Sequence, residues 1–470
     1  MIYVVFIKVV KGELSPFDEA ALETALRLRE TVGGRVIAVT MAPDSAADRM
    51  RALTRIGVDR AVLLSDAAFA GSDTAATSYV LSLAAKKLTD GGSFLILCGR
   101  QSMDGDTAQV GVSIAARLGI PSITNVMRVD SFSETAIACE TRMGSESVPL
   151  SALITVERIA KLRFASMRAR AHEIERYDAA WLGADRRRIG QRGSPTKGLR
   201  SFESDKGRRF CKFLSADALA AKLCELADAP RAAHTAPEAS ENKLPTVYAV
   251  GSDVAAIASG IAEQVVMLER MTADRYVQLF AEKKPDVVLF PADLWGRRIA
   301  PEVATRLETG LCADCTQLET DGEHFYMYRP ALGGSVTAKI ECRTKPQMAT
   351  VRTVEASSDI IFSCGLGVRN CLETARALAD RLGAGMGASR GLVDAGLAPY
   401  EWQVGITGRT VSPKIYIAAG ISGAVHHTAA IGTSDYIVGI NPDKNAQIFD
   451  FCDFGFVGTL EDFSNAFIPV

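Results

Sequence analysis

What is scarce in this chain narrows its function first. Its 470 residues carry a formal net charge of −2, so no global field draws it to nucleic acid or to an anionic membrane. Aromatic residues make up 7% of it and are nearly absent from its one strongly basic stretch, which argues against stacking on single-stranded nucleic acid. No apolar run approaches the roughly eighteen residues a bilayer requires, so no membrane insertion is expected. The opening MIYVVFIKVV is apolar but only strand-length, without a basic leader or cleavage site; a cytoplasmic protein is expected. There is no P-loop and no HExxH, which removes the common sets for phosphoryl transfer and zinc-dependent hydrolysis. No catalytic residue stands out. The ten cysteines are scattered as buried thiols usually are, with a single CxxC pair, Cys312 and Cys315. With no second pair and no histidine nearby, core and loop thiols are favoured over a metal or redox role, and no metal site is expected.

What is present is an α/β pattern. Hydrophobic residues are 48% and charged ones 23%, as in a globular protein. The length suits roughly three domains of about 150 residues. MIYVVFIKVV, RVIAVTMAP, RAVLLS and FLILCGR read as strands, and PFDEAALETALRLRETV has helical spacing with an acidic first turn. Strands alternating with helices imply doubly wound parallel sheets, whose ligands bind beyond the carboxyl ends of the strands. Residues 185–209 are basic and rich in Gly and Ser and read as a solvated arm. A helix, FLSADALAAKLCELADA, and a linker-like stretch, 230–245, follow. Beyond 246 the pattern resumes as a partial repeat. FLILCGRQSMDGDTAQVGVSIAARLGIPSITNVMRV is echoed by VVLFPADLWGRRIAPEVATRLETGLCADCTQLET, which points to two related α/β domains. A third unit begins near 358.

Three stretches could hold a nucleotide. GLGVRN (365–370) has Asn370 where a dinucleotide fingerprint needs its third glycine. The loop 99–111, GRQSMDGDTAQVG, offers Asp104, Asp106, Thr107 and Gln109 between a strand and a helix; that suits a ribose and phosphate, or it is a polar loop without ligand. Residues 403–427, QVGITGRTVSPKIYIAAGISGAVHH, set four glycines and several hydroxyls about a short strand. That is either a phosphate cradle or an ordinary strand–turn–helix corner. Backbone suited to a nucleotide, with little acid–base machinery, fits a redox cofactor that supplies its own chemistry.

GASR, QVG.TG, P.IYIA.GISGA, SDYIVGIN and DFGFVG fall in order over about 70 residues, and with them the chain resembles the electron-transfer flavoproteins. Residues 1–225 look like the β subunit and 246–470 like the α subunit, joined in one polypeptide. The implied division is 1–184, a β-like nucleotide-binding domain; 185–245, basic arm, helix and linker; 246–354, a shortened α-like domain; and 355–470, an α/β FAD-binding domain. The resemblance implies FAD on Ser389, Arg390, Gln403, Val404, Gly405, Thr407, Gly408, Gly420, Ser422, Gly423, Ala424, His427, Asn441 and Asp453. Thr407 would meet flavin N5, His427 the C2 carbonyl, and Arg390 the ring, where a fixed cation raises the potential. Leu366 replaces an arginine common in the family, and Ile406 a glutamine. In the β-like half the resemblance implies a second nucleotide, FAD or AMP, at Phe6, Met41, Asp104, Asp106, Thr107 and Gln109. Val110, in place of a threonine, and GSPT (193–196) are similar to the branch with a second FAD, which takes electrons from NADH and can bifurcate them. Met167, in KLRFASMRA (161–169), falls at the partner-docking anchor. The implied partners are a dehydrogenase donor or NADH and a quinone oxidoreductase or similar acceptor. Two alternatives remain: a flavin- or nicotinamide-dependent oxidoreductase acting directly on a small molecule, and a redox-silent nucleotide-binding module of the same fold.

Overall fold

The structure, a computed structural model, describes residues 1–89, 92–102, 104–203, 209–231, 240, 242–331, 336–355 and 358–467. Most of the linker-like stretch 230–245 lies outside them. The chain divides into two units: 1–201, 239–332 and 338–352 form one, and 202–238, 333–337 and 353–470 the other.

The first half of the first unit is built on strands β1 (Ile2–Phe6), β2 (Arg35–Met41), β3 (Arg60–Leu64), β4 (Phe94–Gly99), β5 (Ser122–Phe132) and β6 (Ala152–Val156). Helix α1 (Pro16–Val32) starts on Ser15, whose side chain accepts from Asp18 N, with Pro16 preset for the first turn. Helix α2 (Val110–Leu118) follows the loop 99–109. The strands lie in the order β3-β2-β1-β4-β6-β5, all parallel, and an antiparallel hairpin extends the sheet beyond β5. The chain builds outward from β1 in one direction, then from β4 in the other. The crevice between their carboxyl ends is therefore the switch point.

The second half repeats the plan with β7 (Leu244–Val250), β8 (Ala262–Leu268), β9 (Val287–Pro291), helix α3 (Leu294–Arg306), β10 (Leu311–Cys315) and β11 (Gln347–Val351). These strands are parallel in the order β8-β7-β9-β11-β10. The repetition reaches an irregularity. Asn125 in β5 and Asp314 in β10 both adopt left-handed backbone, φ 57° and 62°. Each N–H donates to a threonine hydroxyl on the neighbouring strand, Thr155 at 3.0 Å and Thr350 at 2.8 Å. A shared strained bulge of this kind is a retained feature of a common plan.

In the second unit β12 (Ile360–Cys364), β13 (Gly385–Ala388), β14 (Ile415–Ala419), β15 (Tyr436–Asn441) and β16 (Phe454–Val457) form a parallel sheet in the order β16-β15-β14-β12-β13. The edge of β16 is paired by Lys212–Phe213, and the helix Ala216–Asp228 buries Leu219, Leu223 and Leu226 in this core. The basic run read as a solvated arm contains a strand, Thr196–Glu203. Its start is fixed: Asp73 accepts from Thr196 N and Oγ1 at 2.9 and 2.6 Å. Among the described residues no helix is long and apolar enough to cross a membrane.

Candidate functional site

In the first unit a cavity of about 420 Å³ opens at the carboxyl ends of β1, β2 and β4. Phe6, Met41, Phe69 and Leu81 form its apolar part; Gly99–Ser102 and Thr107–Gly111 form its polar rim at the start of α2. Of the residues expected there, Phe6, Met41, Thr107 and Gln109 line it. The carboxylates of Asp104 and Asp106 are spent otherwise. Asp104 pairs with Lys8 at 2.6 Å; burial works against its charge, but Lys8 holds the carboxyl below its ordinary range. Asp106 is buried and accepts from Gln101 at 3.0 Å. Gln109 is also engaged, taking a hydrogen bond from Thr74 at 2.6 Å and giving one to Leu311 O at 3.2 Å. What the loop offers a ligand is thus chiefly Thr107 and the amides that open α2, a natural anion site. Asp106 and Ala108 hold left-handed backbone, φ 50° and 56°, a strain of about 1–2 kcal/mol each. Arg329 of the second half donates to Gly105 O and braces this turn.

Asp18, absent from the sequence reading as a site residue, also lines the cavity. Burial pushes its carboxyl up to about 7, against hydrogen bonds from Lys8 N, Ser15 and Gly99 N. The signal for it is its place in the first turn of α1, whose start faces the switch point.

In the second unit the order β15-β14-β12-β13 places the switch point between β12 and β14. Residues 365–367 and 420–424 meet there: Gly367 N donates to Gly420 O at 3.1 Å, and a Cβ on Gly365 would stand 2.1 Å from that oxygen. Gly423 has φ 91°, and a Cβ on it would meet Ile448 N at 2.1 Å; only glycine fits this turn. Ser422 and Ala424 are exposed on either side of it. Ser389 and Arg390 follow β13, where Ser389 caps a short helix and Arg390 Nε donates to Asp394 at 3.1 Å. Asn441 ends β15 and ties the turn by donating to Ile421 O at 3.0 Å. The 403–408 turn is anchored by Val404 N to Ala388 O, 2.9 Å, and Ile406 N to His426 O, 2.8 Å. Gly405 N donates to Arg409 O and Gly408 N to Gly405 O within that turn. Gln403 Nε2 donates to Thr407 Oγ1 at 2.8 Å, which leaves the Thr407 hydrogen for another acceptor.

Asp453 is the exception. It precedes β16, so it stands at the amino ends of the strands, opposite the crevice. Its carboxylate accepts from Ile437 N at 2.8 Å and from Arg209. At the carboxyl end of β16 the chain instead presents Val457, Gly458 and Thr459.

The buried side-chain atoms of the second unit without a hydrogen bond of ordinary geometry include Gln403 Oε1 and His427 Nδ1. Buried polar groups are rarely left so. Together with the glycine turn at the switch point, they fit a bound nucleotide cofactor. Met167 lies elsewhere, with Phe164, on a loop of the first unit. Both are 98% exposed, while Arg163 pins the loop to Glu23 at 3.0 Å.

The profile described as Electron transfer flavoprotein domain matches residues 4–182 and 218–358, more than half of the chain. The profile described as Electron transfer flavoprotein FAD-binding domain matches residues 356–432. The chain is 36% identical over 271 residues to the electron transfer flavoprotein subunit alpha of Thermoanaerobacterium thermosaccharolyticum, covering 47% of this chain and 81% of the relative. It is 34% identical over 282 residues to protein FixB of Rhizobium meliloti, 50% of this chain and 79% of the relative. It is 33% identical over 272 residues to the acryloyl-CoA reductase electron transfer subunit beta of Anaerotignum propionicum, 41% and 74%. On these matches, and on a fold with a glycine-lined crevice where the FAD-binding profile falls, the chain belongs to the electron transfer flavoprotein family.

Proposed function

We propose that the chain joins β-like and α-like subunits of an electron transfer flavoprotein in one polypeptide, with FAD in the 353–470 unit and a second FAD in the N-terminal cavity. The observation that carries this is the double match of the Electron transfer flavoprotein domain ahead of the FAD-binding domain. The bulge shared by Asn125 and Asp314 supports it. As a member of its family the chain carries electrons on FAD and exchanges them with redox proteins. When bound, FAD supplies the redox chemistry itself, so the protein's part is to hold, orient and tune it.

In this reading the backbone of Gly420–Ala424 holds the pyrophosphate at the switch point, with Ser389 and Ser422 as hydroxyl contacts. Gln403 occupies the Thr407 oxygen and so directs its hydrogen towards flavin N5. Arg390, steadied by Asp394, supplies the cation beside the ring. In the N-terminal cavity Thr107 and the first amides of α2 serve a diphosphate, and Val110 brings no hydroxyl for a phosphate monoester. That supports FAD over AMP there, and with it electron intake from NADH and bifurcation. Phe164 and Met167, held out on a pinned loop, suit docking of a redox partner. The Anaerotignum relative, named as the electron transfer subunit of an acryloyl-CoA reductase, supports an acyl-CoA dehydrogenase or reductase as that partner. A quinone oxidoreductase or similar protein would take the electrons onward.

Anaerobic addition of NADH to the purified, FAD-supplemented protein tests this. The protein should be yellow and lose flavin absorbance stoichiometrically. A colourless protein that takes up no FAD would leave the redox-silent module. A yellow protein untouched by NADH would remove the second-FAD branch and leave a carrier fed only by dehydrogenases.

A further inference from the structure

The bulge shared by the two halves of the first unit carries different side chains in each. In a regular strand, residues three apart point to opposite faces. In β5 and β10 the register slips by one residue, at Asn125 and Asp314, so the residues flanking the slip turn to one face. In the first half these are Ile123 and Val126, both fully buried in one core. They are plain apolar filling. In the second half the same positions hold Cys312 and Cys315, 3% and 0% exposed, together in the core with Phe325 and Met327. Leu311, the preceding residue, packs on the other face.

The CxxC spacing, which on a straight strand would part the two thiols, therefore brings them together. Cys315 Sγ lies 3.7 Å from Cys312 O, and the two side chains are hydrogen-bonding neighbours. Cys315 holds the Cys312 thiol below its ordinary range against burial, and the Arg329 guanidinium acts in the same sense. Burial pushes Cys315 well above its own. One thiol is thus suited to attack while the other keeps its hydrogen. The third thiol of this core, Cys342, is turned to Thr344, whose O and Oγ1 lie 3.5 and 3.4 Å from its sulfur.

We propose that Cys312 and Cys315 form a dithiol centre that reacts with hydrogen peroxide and closes as a reversible disulfide across the bulge. The Cys312 thiolate attacks one peroxide oxygen, the O–O bond breaks, and the departing hydroxide takes up the proton Cys312 released. The Cys315 sulfur then attacks the Cys312 sulfenic acid, the S–O bond breaks, and the Cys315 proton leaves with that oxygen as a second water. Two thiols lose two electrons, and one peroxide becomes two waters. A thiol reductant reverses the change.

The centre bears on the N-terminal cavity. Leu311 O, at the peptide bond into Cys312, accepts from Gln109 Nε2 at 3.2 Å, the long limit for such a bond. Drawing Cys312 towards Cys315 shifts this carbonyl, so the loop 99–109 is looser in the disulfide form and holds its ligand less tightly. The weaker hold rests on the nucleotide reading of that cavity; the disulfide does not.

The test treats the full chain with hydrogen peroxide, alkylates it after denaturation, and maps the cysteines by mass spectrometry. Exposed Cys224 reports that the oxidant has acted. The peptide holding Cys312 and Cys315 should escape alkylation, lighter by two hydrogens, and should take two labels again after dithiothreitol. In protein freed of nucleotide, amide exchange over 104–110 should quicken several-fold on oxidation, and the dissociation constant of FAD at this cavity should rise several-fold. Cys312→Ser should lose both responses. A pair still fully alkylated while Cys224 is oxidised would overturn the proposal, and so would a disulfide to Cys342 in its place. A disulfide with unchanged exchange would overturn the link to the loop. A disulfide with quickened exchange, in a chain whose cavity takes up no nucleotide in either form, would uphold the centre and count against the second FAD instead.

Discussion

Where the first half of the first unit ends β2 in Met41 and follows β4 with Gln101, both facing an open cavity, the second half follows β8 and β9 with Arg270 and Asp293, joined as an ion pair. Arg270 also lies over the Trp295 ring, 4.9 Å from its centroid. One plan was used twice, and the crevice was kept open in one copy and bridged in the other. A second contrast lies at the edge of the same crevices. In the first half buried Glu157 follows β6 and neutralises Arg100 and Arg142, at 3.0 and 2.8 Å. In the second half Arg352 follows β11 and, with Arg297, neutralises buried Asp314 at 2.6 and 2.8 Å. Burial opposes the Asp314 charge, but the guanidiniums of Arg352 and Arg297 hold its carboxyl well below the usual range. The sign at the matching position reversed while the compensation persisted. What the duplicated fold retains is the requirement that a buried charge be paired, rather than any particular residue.

That equivalence is open to a severe test. Glu157→Gln removes the carboxylate charge facing two buried guanidiniums, and Asp314→Asn removes the one facing two largely buried guanidiniums, so each should cost about 3–5 kcal/mol in denaturant unfolding. A loss under about 1 kcal/mol for one of them would show that the two networks are not alike in importance.

The second unit differs from both halves in carrying a buried neutral histidine at its crevice. The His427 pKa is depressed from 6.5 to about 4, so between these values the unfolded chain binds the proton more readily than the folded one. Stability from this group is complete above pH 6.5, declines as the pH falls, and stops declining near 4. The loss is about 3 kcal/mol over that window. Acid titration of unfolding in the wild type and in His427→Gln should show this slope flattened in the variant. Equal slopes would place the imidazole in water.

Thr407→Ala should leave FAD bound but shift its midpoint potential by the equivalent of about 1 kcal/mol, through loss of one hydrogen bond. An unchanged potential would remove Thr407 from the flavin. The smallest effect should come from Arg270→Ala, with a stability loss within about 1 kcal/mol because the ion pair is half exposed. No nucleotide should bind to the second half, because Asp293 remains to repel phosphate. Uptake of a further nucleotide would show that the Arg270 bridge alone keeps that crevice shut.

Much of this was legible in the residues. The alternation of strands and helices and the echo of FLILCGRQ in VVLFPADL pointed to paired sheets, because hydrophobic periodicity records which faces are buried. The GISGA turn was legible because only glycine tolerates its close approaches. Asp453 was misplaced because a residue's end of the sheet depends on whether it precedes or follows its strand, and DFGFVG does not mark that boundary. The strand Thr196–Glu203 was hidden by its basic, mostly exposed residues, which show no apolar face. Tyr416 sits in IYIAA, which reads as plain core; its hydroxyl meets His427 Nε2, at 2.8 Å, only once the chain folds back against it.

The central claim is that two crevices of this chain, the cavity beside β1 and β4 and the glycine turn after β14, each hold FAD. Denaturing freshly purified, FAD-supplemented protein and quantifying released FAD and AMP per chain tests it most directly. The account expects two FAD and no AMP; one FAD with one AMP would contradict it.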